Sequence, residues 1–282
     1  MMLNLKGGVA KTTNCVAMAE CLADEGLRVL ALDADHQCMA SELLLGQDRY
    51  ITCEHRRKTL HDLLAAMLDD EFTEENIPPF IENQASNIGE GYPNLDVIPC
   101  SIRIDDFQTN MAKARRGYHT PEEFLRMFTA RGHILQRYLN SHYDYTLVDC
   151  PPSIVLQVKQ FMRIADGFII PCVPDRLSVR GAFWLLDRIR RSGYKRIQPI
   201  GTLWSLYRAQ NAMHGRIVKA AGRGKEPFDH LPKPFKTVIP NSTAIAESTD
   251  PNRQPASYTA KYTSKFAHLF RDLCKELRDR TE

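Results

Sequence analysis

No apolar run in this chain approaches the roughly 18 residues that a membrane-crossing helix needs, so no bilayer span is expected. Cysteines paired at metal or redox spacing are also missing. The eight cysteines, at positions 15, 21, 38, 53, 100, 150, 172 and 274, include no CxxC and read as reduced thiols of a cytosolic protein. There is no internal repeat and no Ser/Gly linker to set off a second domain. Residues 1–282 therefore read as one domain, with a variable helical and loop insertion at about 47–94. Only five residues precede the first motif, which leaves no room there for a signal peptide.

What is present is the composition of a globular protein with an ample core, 43% hydrophobic and 25% charged. The net charge of +3 hides an asymmetry. Residues 1–179 hold 17 Lys and Arg against 25 Asp and Glu, a balance of −8, and residues 180–282 hold 20 against 9, a balance of +11. A basic C-terminal third fits a polyanion binder, and equally a set of well-solvated surface helices.

The segment Lys6-Gly7-Gly8-Val9-Ala10-Lys11-Thr12-Thr13 follows a short apolar start, Met1 to Leu5, and precedes a helical pattern. A strand, a glycine turn and a helix N-terminus in that order aim several backbone N–H groups at one point and make a phosphate cradle. Lys11 can reach the β- and γ-phosphates, and the Thr12 hydroxyl can ligate Mg²⁺. Ala10 stands where the phosphate-loop pattern has glycine; if that position needs a positive φ, alanine costs about 1 kcal/mol.

Helices are predicted over 14–25, around 60–68, and over 121–140, 179–192 and 258–280, the third opened by Thr120-Pro121 as N-cap and N1. Strands are predicted over 28–33, 95–99, 145–149, 167–171, 199–204 and 235–240. Alternation over the whole length predicts an α/β fold, a doubly wound, mostly parallel twisted sheet with helices on both faces. Two of these strands end in acid. Asp33 and Asp35, on alternate residues of an extended segment, can both face the phosphates, one in the metal shell and one orienting a water. Asp149 closes its strand as a Walker-B acid does, suited to a water-mediated Mg²⁺ contact. Taken alone, an Asp at a strand end is more often a helix cap or turn former.

The three motifs KGGVAKTT, DADHQ and LVDCPPS together resemble the ParA/MinD/Soj family of deviant Walker-A P-loop ATPases. The resemblance continues through Phe168–Pro174, Ser178–Gly181 and Thr237–Glu247, and is closest to short ParA-type partition proteins without an N-terminal helix-turn-helix domain. It implies a cytoplasmic ATPase that uses ATP and Mg²⁺ and hydrolyses slowly on its own. By position, Lys6 matches the signature lysine that crosses to the partner subunit's ATP. Lys11 and Thr13 fall to the phosphates, Thr12 to the metal, Asp35 to the water, and Asp33 and Asp149 to metal support. Pro240 and Asn241 lie where the family encloses adenine. His36 stands where the family usually has proline and reads as a change on a surface turn.

The resemblance further implies a homodimer with ATP that binds DNA non-specifically, associates with the nucleoid, and is released when a ParB-like adaptor stimulates hydrolysis, for segregation of plasmid or chromosomal DNA. Candidate DNA contacts are Arg188, Arg190, Arg191, Lys195, Arg196, Arg216, Lys219, Arg223, Lys225, Lys261 and Lys265. Two other readings are a MinD-like or cargo-positioning ATPase at a membrane or protein scaffold, and a nucleotide-binding regulatory module with little turnover. For the first, the apolar stripe Phe266, Leu269, Phe270, Leu273 and Leu277 would have to meet lipid. Asp272, Glu276, Asp279 and Glu282 dilute its charge, and packing against the protein is the expectation.

Overall fold

The protein's computed structural model describes residues 1–194 and 196–281; Lys195, a candidate DNA contact, lies outside the described residues. Five parallel strands form where the apolar runs lie: β1 (Val29–Asp33), β2 (Leu95–Ile98), β3 (Tyr145–Asp149), β4 (Gly167–Cys172) and β5 (Gln198–Trp204). β1 lies between β2 and β3, and β4 pairs with β5. The N-terminal segment joins the two sets. The Met2 amide donates to Val148 at 2.9 Å, and Leu3 exchanges sides to pair with Ile169 at 2.9 Å, which sets the order β2-β1-β3-N-terminus-β4-β5.

This order and the right-handed rule for parallel crossovers assign the helices to faces. The chain moves one way across the sheet through α1 (Lys11–Asp24), α2 (Met39–His55) and α3 (Leu60–Ala66), and the other way through α4 (Phe107–Ala114), α5 (Pro121–His142), α6 (Leu156–Ile164) and α7 (Arg176–Arg191). α1 and α6 therefore leave neighbouring strands toward opposite faces. The crevice between them, at the carboxyl edge of the sheet, is where open α/β sheets bind ligands. After β5 come α8 (Ala212–Gly222), the short α9 (Thr243–Glu247) and α10 (Tyr258–Thr281), which packs along α1.

The Thr120 hydroxyl caps α5 by accepting from the Glu123 amide, with Pro121 in the first turn, as expected. The stripe on α10 is spent on packing, since Phe266, Phe270, Leu273 and Leu277 are all buried. All eight cysteines are free and buried.

Two expectations are corrected. Residues 235–240 do not form a regular strand. Phe235 and Ile239 donate to Thr202 and Trp204, but Pro234 and Pro240 have no N–H, and the Lys236 and Thr237 amides donate to Glu276 of α10 at 2.7 and 2.8 Å. In the stretch 47–94, the helix α2 (Met39–His55) is broken at Gly46 (φ 72°, ψ 163°), just before the stretch begins, and Glu82 pairs antiparallel with Val97 on the sheet's edge. Lys261 cannot face DNA. It is 3% exposed, and its ammonium donates to Glu20 on α1 at 2.6 Å and to Asn87 at 2.7 Å. Glu20 also accepts from Tyr262 and Ser86, so this buried pair sits in a hydrogen-bonded network that ties α10 to the helix that begins at the phosphate loop.

Candidate active site

Residues 6–10 turn at the carboxyl edge of the sheet. Gly8 (φ 69°) and Ala10 (φ 63°, ψ 35°) are both left-handed, so the position that glycine usually fills does require positive φ, and alanine carries about 1 kcal/mol of strain there. Ala10 keeps its N–H for a phosphate. α1 starts at Lys11 with no side-chain cap and no acid in its first turn. Its first amides and its dipole therefore converge on the loop as an anion site. α7 approaches the loop closely at Gly181, where a Cβ would lie 3.2 Å from Asn4 Oδ1 and 3.7 Å from Lys6 Cβ.

The two lysines of the loop have different surroundings. Lys11 is 7% exposed, with its ammonium 3.4 Å from the Lys6 carbonyl. Burial lowers its pKa, against the pull of Asp149 and Asp35. Lys6 reaches outward to a half-exposed ion pair with Asp175 at 3.2 Å. Asp175 meanwhile caps α7 by accepting from the Ser178 amide at 2.7 Å. Such a partly solvated pair is worth about 1 kcal/mol or less, so Lys6 can exchange it for a phosphate at little cost.

The acids converge as their strands dictate. Asp33 and Asp149 are directly paired residues of β1 and β3, both buried. The Asp33 carboxylate accepts from the Asp35 amide (3.1 Å) and from the Ser41 amide (2.9 Å) and hydroxyl (2.7 Å). Its bonds shape the loop that carries Asp35. Asp149 differs: neither carboxylate oxygen has a hydrogen-bond partner. Burial, then the Asp33 charge, pushes the Asp149 pKa up to about 8, against the Thr12 hydroxyl and Lys11. Burial raises Asp33 to about 6 in spite of the Ser41 bonds. A buried acid with two unsatisfied oxygens beside a threonine hydroxyl fits a hydrated hard cation.

Both carboxylates hold protons more tightly when folded than when unfolded. Their burial therefore costs stability increasingly as pH rises from about 4 to about 8. In thermal unfolding without metal, Asp149→Asn is expected to match the wild type only below about pH 4 and to melt progressively higher as pH rises toward 8; a gap that opens toward acid would contradict the burial account.

Asp35 is 13% exposed at its side chain, and its Oδ1 accepts from the Gln37 amide at 3.1 Å. His36 sits half-exposed on the turn, and its Nδ1 lies 3.5 Å from Asp35. Pro240 and Asn241 lie beyond β5, where the Asn241 amide donates to the Tyr207 carbonyl at 2.8 Å. In its satisfied orientation the Asn241 side-chain oxygen accepts from Arg208 at 2.9 and 3.1 Å. Asn14 on α1 donates to Ser205, linking that segment to the phosphate loop. A cavity of about 330 Å³, lined by Met1, Tyr145, Gly167 and Ile200, opens at the opposite edge of the sheet and is separate from this site.

The cations of the basic third divide. Arg188, Arg190 and Arg191 stand on the last turn of α7, and Arg190 and Arg191 pair with Asp187. Arg196 pairs with Asp166. Arg216 and Lys219 are exposed on α8, Arg223 and Lys225 on the loop after it, and Lys265 on α10. Asp175 and Ser41 were not singled out from the sequence, although Asp175-x-x-Ser178 is a recognisable cap pattern.

A glycine-bearing loop feeding an uncapped helix, a buried lysine and an acid at the end of the adjacent parallel strand define a P-loop nucleotide site. Comparison with known proteins agrees. The family model described as an AAA domain matches residues 1–198, and the chain belongs to that family, within it to the ParA/MinD P-loop ATPases. It is 27% identical to the chromosome partitioning protein ParA of Caulobacter vibrioides, over 87% of this chain and 81% of that one. It is also 27% identical to the sporulation initiation inhibitor protein Soj of Bacillus subtilis, over 87% and 85%. In fold it is similar to pNOB8 ParA (TM-score 0.67, 20% identity, 99% and 96% covered). The cobyrinic acid a,c-diamide synthase of Mycobacterium smegmatis, solved with ADP and magnesium, is likewise similar (TM-score 0.65, 20% identity, 97% and 91% covered).

Proposed function

We propose that this protein is an ATP-dependent switch: ATP and Mg²⁺ bind at the loop, two copies close face to face, and the dimer holds DNA without sequence preference until a ParB-like adaptor stimulates hydrolysis. The observation that carries this reading is the contrast between the two lysines. Lys11 is buried for its own subunit's phosphates, whereas Lys6 sits on the outer edge of the loop in a weak, exchangeable pair with Asp175. In a dimer Lys6 would leave Asp175 for the partner's ATP.

Thr12 and Asp149 would hold the Mg²⁺, which neutralises charge across the β- and γ-phosphates when bound. Lys11 and the amides of residues 7–13 bind and orient the phosphates, Asp35 orients the attacking water, and Asp33 fixes the loop that positions Asp35. Pro240 and Asn241 border the adenine. Catalysis on this plan is positioning and electrostatics, in keeping with a slow intrinsic rate.

For DNA, Arg188, Lys219, Arg223, Lys225 and Lys265 are exposed and make no ion pair among the described residues. No helix of the described residues is long and apolar enough to cross a membrane, and the apolar stripe of α10 is spent on packing inside the protein. Relatives named for chromosome partitioning support a role in plasmid or chromosome partition at the nucleoid.

A gel shift with random-sequence duplex tests the reading. Binding should require ATP and Mg²⁺ and should weaken with salt by a log–log slope of about −0.9 per phosphate contact. Equal binding with ADP, or binding indifferent to salt, would count against the switch.

A further inference from the structure

The face formed by α7 and α8 carries a feature that phosphate contacts do not use. A groove of about 520 Å³ runs between the two helices and the turn at 228–230. Its floor is apolar, made by Val179, Phe183, Ile217 and Phe228, and its rim carries Arg176, Arg180 and Arg216. None of these three arginines has a carboxylate partner among the described residues. Beside the groove Leu177 and Trp184 are 59% and 58% exposed, and the Arg180 guanidinium lies 4.9 Å over the Trp184 ring. Leu177, Arg180 and Trp184 are spaced i, i+3 and i+7, so they form one stripe of α7.

An exposed tryptophan, an apolar slot and three unpaired arginines make an interaction surface for something both anionic and apolar. A DNA duplex is a poor match, because it presents phosphates and sugars and leaves an apolar slot unfilled. A second copy of this chain is also a poor match through its strongest acidic run, Asp69–Glu75, because Phe72, the apolar anchor within it, is already buried. The charge and shape fit an amphipathic helix whose apolar residues enter the slot while its carboxylates meet the arginines.

We infer that the α7–α8 groove docks an acidic amphipathic segment of a partner protein. Binding there rests on the groove alone and does not require the nucleotide switch. The position next to Asp175, which caps α7 and holds Lys6, places an occupant within reach of the nucleotide site.

The test is a random-peptide display selection on the full-length protein, with selected peptides re-measured against wild type and the double variant Arg180→Glu/Arg216→Glu. Both side chains are exposed, and an unchanged circular dichroism melt shows that the variant is folded. Enriched peptides should be acidic with two or three apolar anchors, and should lose at least about tenfold in affinity on charge reversal and on raising salt. They should also shift tryptophan emission, a response lost in Trp184→Phe because Trp204, the other tryptophan, is buried. Basic winners, binders indifferent to the charge reversal, or no enrichment would overturn the inference. So would duplex DNA displacing the peptides, which would assign the face to nucleic acid, or burial of Trp184 by dimerisation alone, which would assign it to a second copy. The outcome stands apart from the gel shift, so failure of one reading does not imply failure of the other.

Discussion

Replacing Lys11 by alanine is expected to lower the rate of ATP hydrolysis by about 10³-fold, ~4 kcal/mol of transition-state stabilisation. The magnitude follows from where the charge sits. Lys11 is almost fully buried at the head of α1, in surroundings that already lower its pKa, so its ammonium acts in a poorly solvated site. A phosphoryl group leaving ATP spreads negative charge over its oxygens, and a positioned lysine is worth most at that moment. Phosphate release measured in the presence of DNA gives the rate. An alanine variant that turned over at the wild-type rate would remove the loop from the chemistry.

The second large effect concerns stability. Lys261→Met is expected to destabilise the fold by about 3–5 kcal/mol, because it strands the Glu20 carboxylate in the interior. Pairing the change with Glu20→Gln should recover much of the loss, since two uncharged groups leave no buried charge. Urea unfolding of the two single variants and the double variant measures both the loss and the coupling. A loss below about 1 kcal/mol for Lys261→Met would mean that Glu20 finds another partner or takes up a proton.

Lys261 also shows where a sequence is hard to read. A count of cations in the last third registers a lysine but not that its acid stands 241 residues earlier. Long separation also hides the partner of Lys6, because Asp175 lies 169 residues away and only the folded sheet brings α7 against the loop. Local signals carried further. The run Tyr145–Asp149 is a strand with those bounds, and the acids that end β1 and β3 meet in register because both strands are parallel and begin level, at Val29 and Tyr145.

Residues 235–240 have the apolar spacing of a strand, but Pro240 and the preceding Pro234 carry no N–H, and Glu276 takes the Lys236 and Thr237 amides that a ladder needs. Ala10 was readable as a departure from the motif, but its consequence needed the backbone. Its φ of 63° shows that the loop keeps the left-handed turn without glycine, and that the cost is strain and not a lost phosphate donor.

Lys6 gives the central claim its most direct test. Sedimentation of the wild type with Mg²⁺ and a slowly hydrolysed ATP analogue should show dimers, and monomers with ADP. Lys6→Gln should bind the analogue yet stay monomeric at the same concentration. A Lys6→Gln protein that dimerised as readily as the wild type would contradict the assignment of this lysine to the partner's nucleotide.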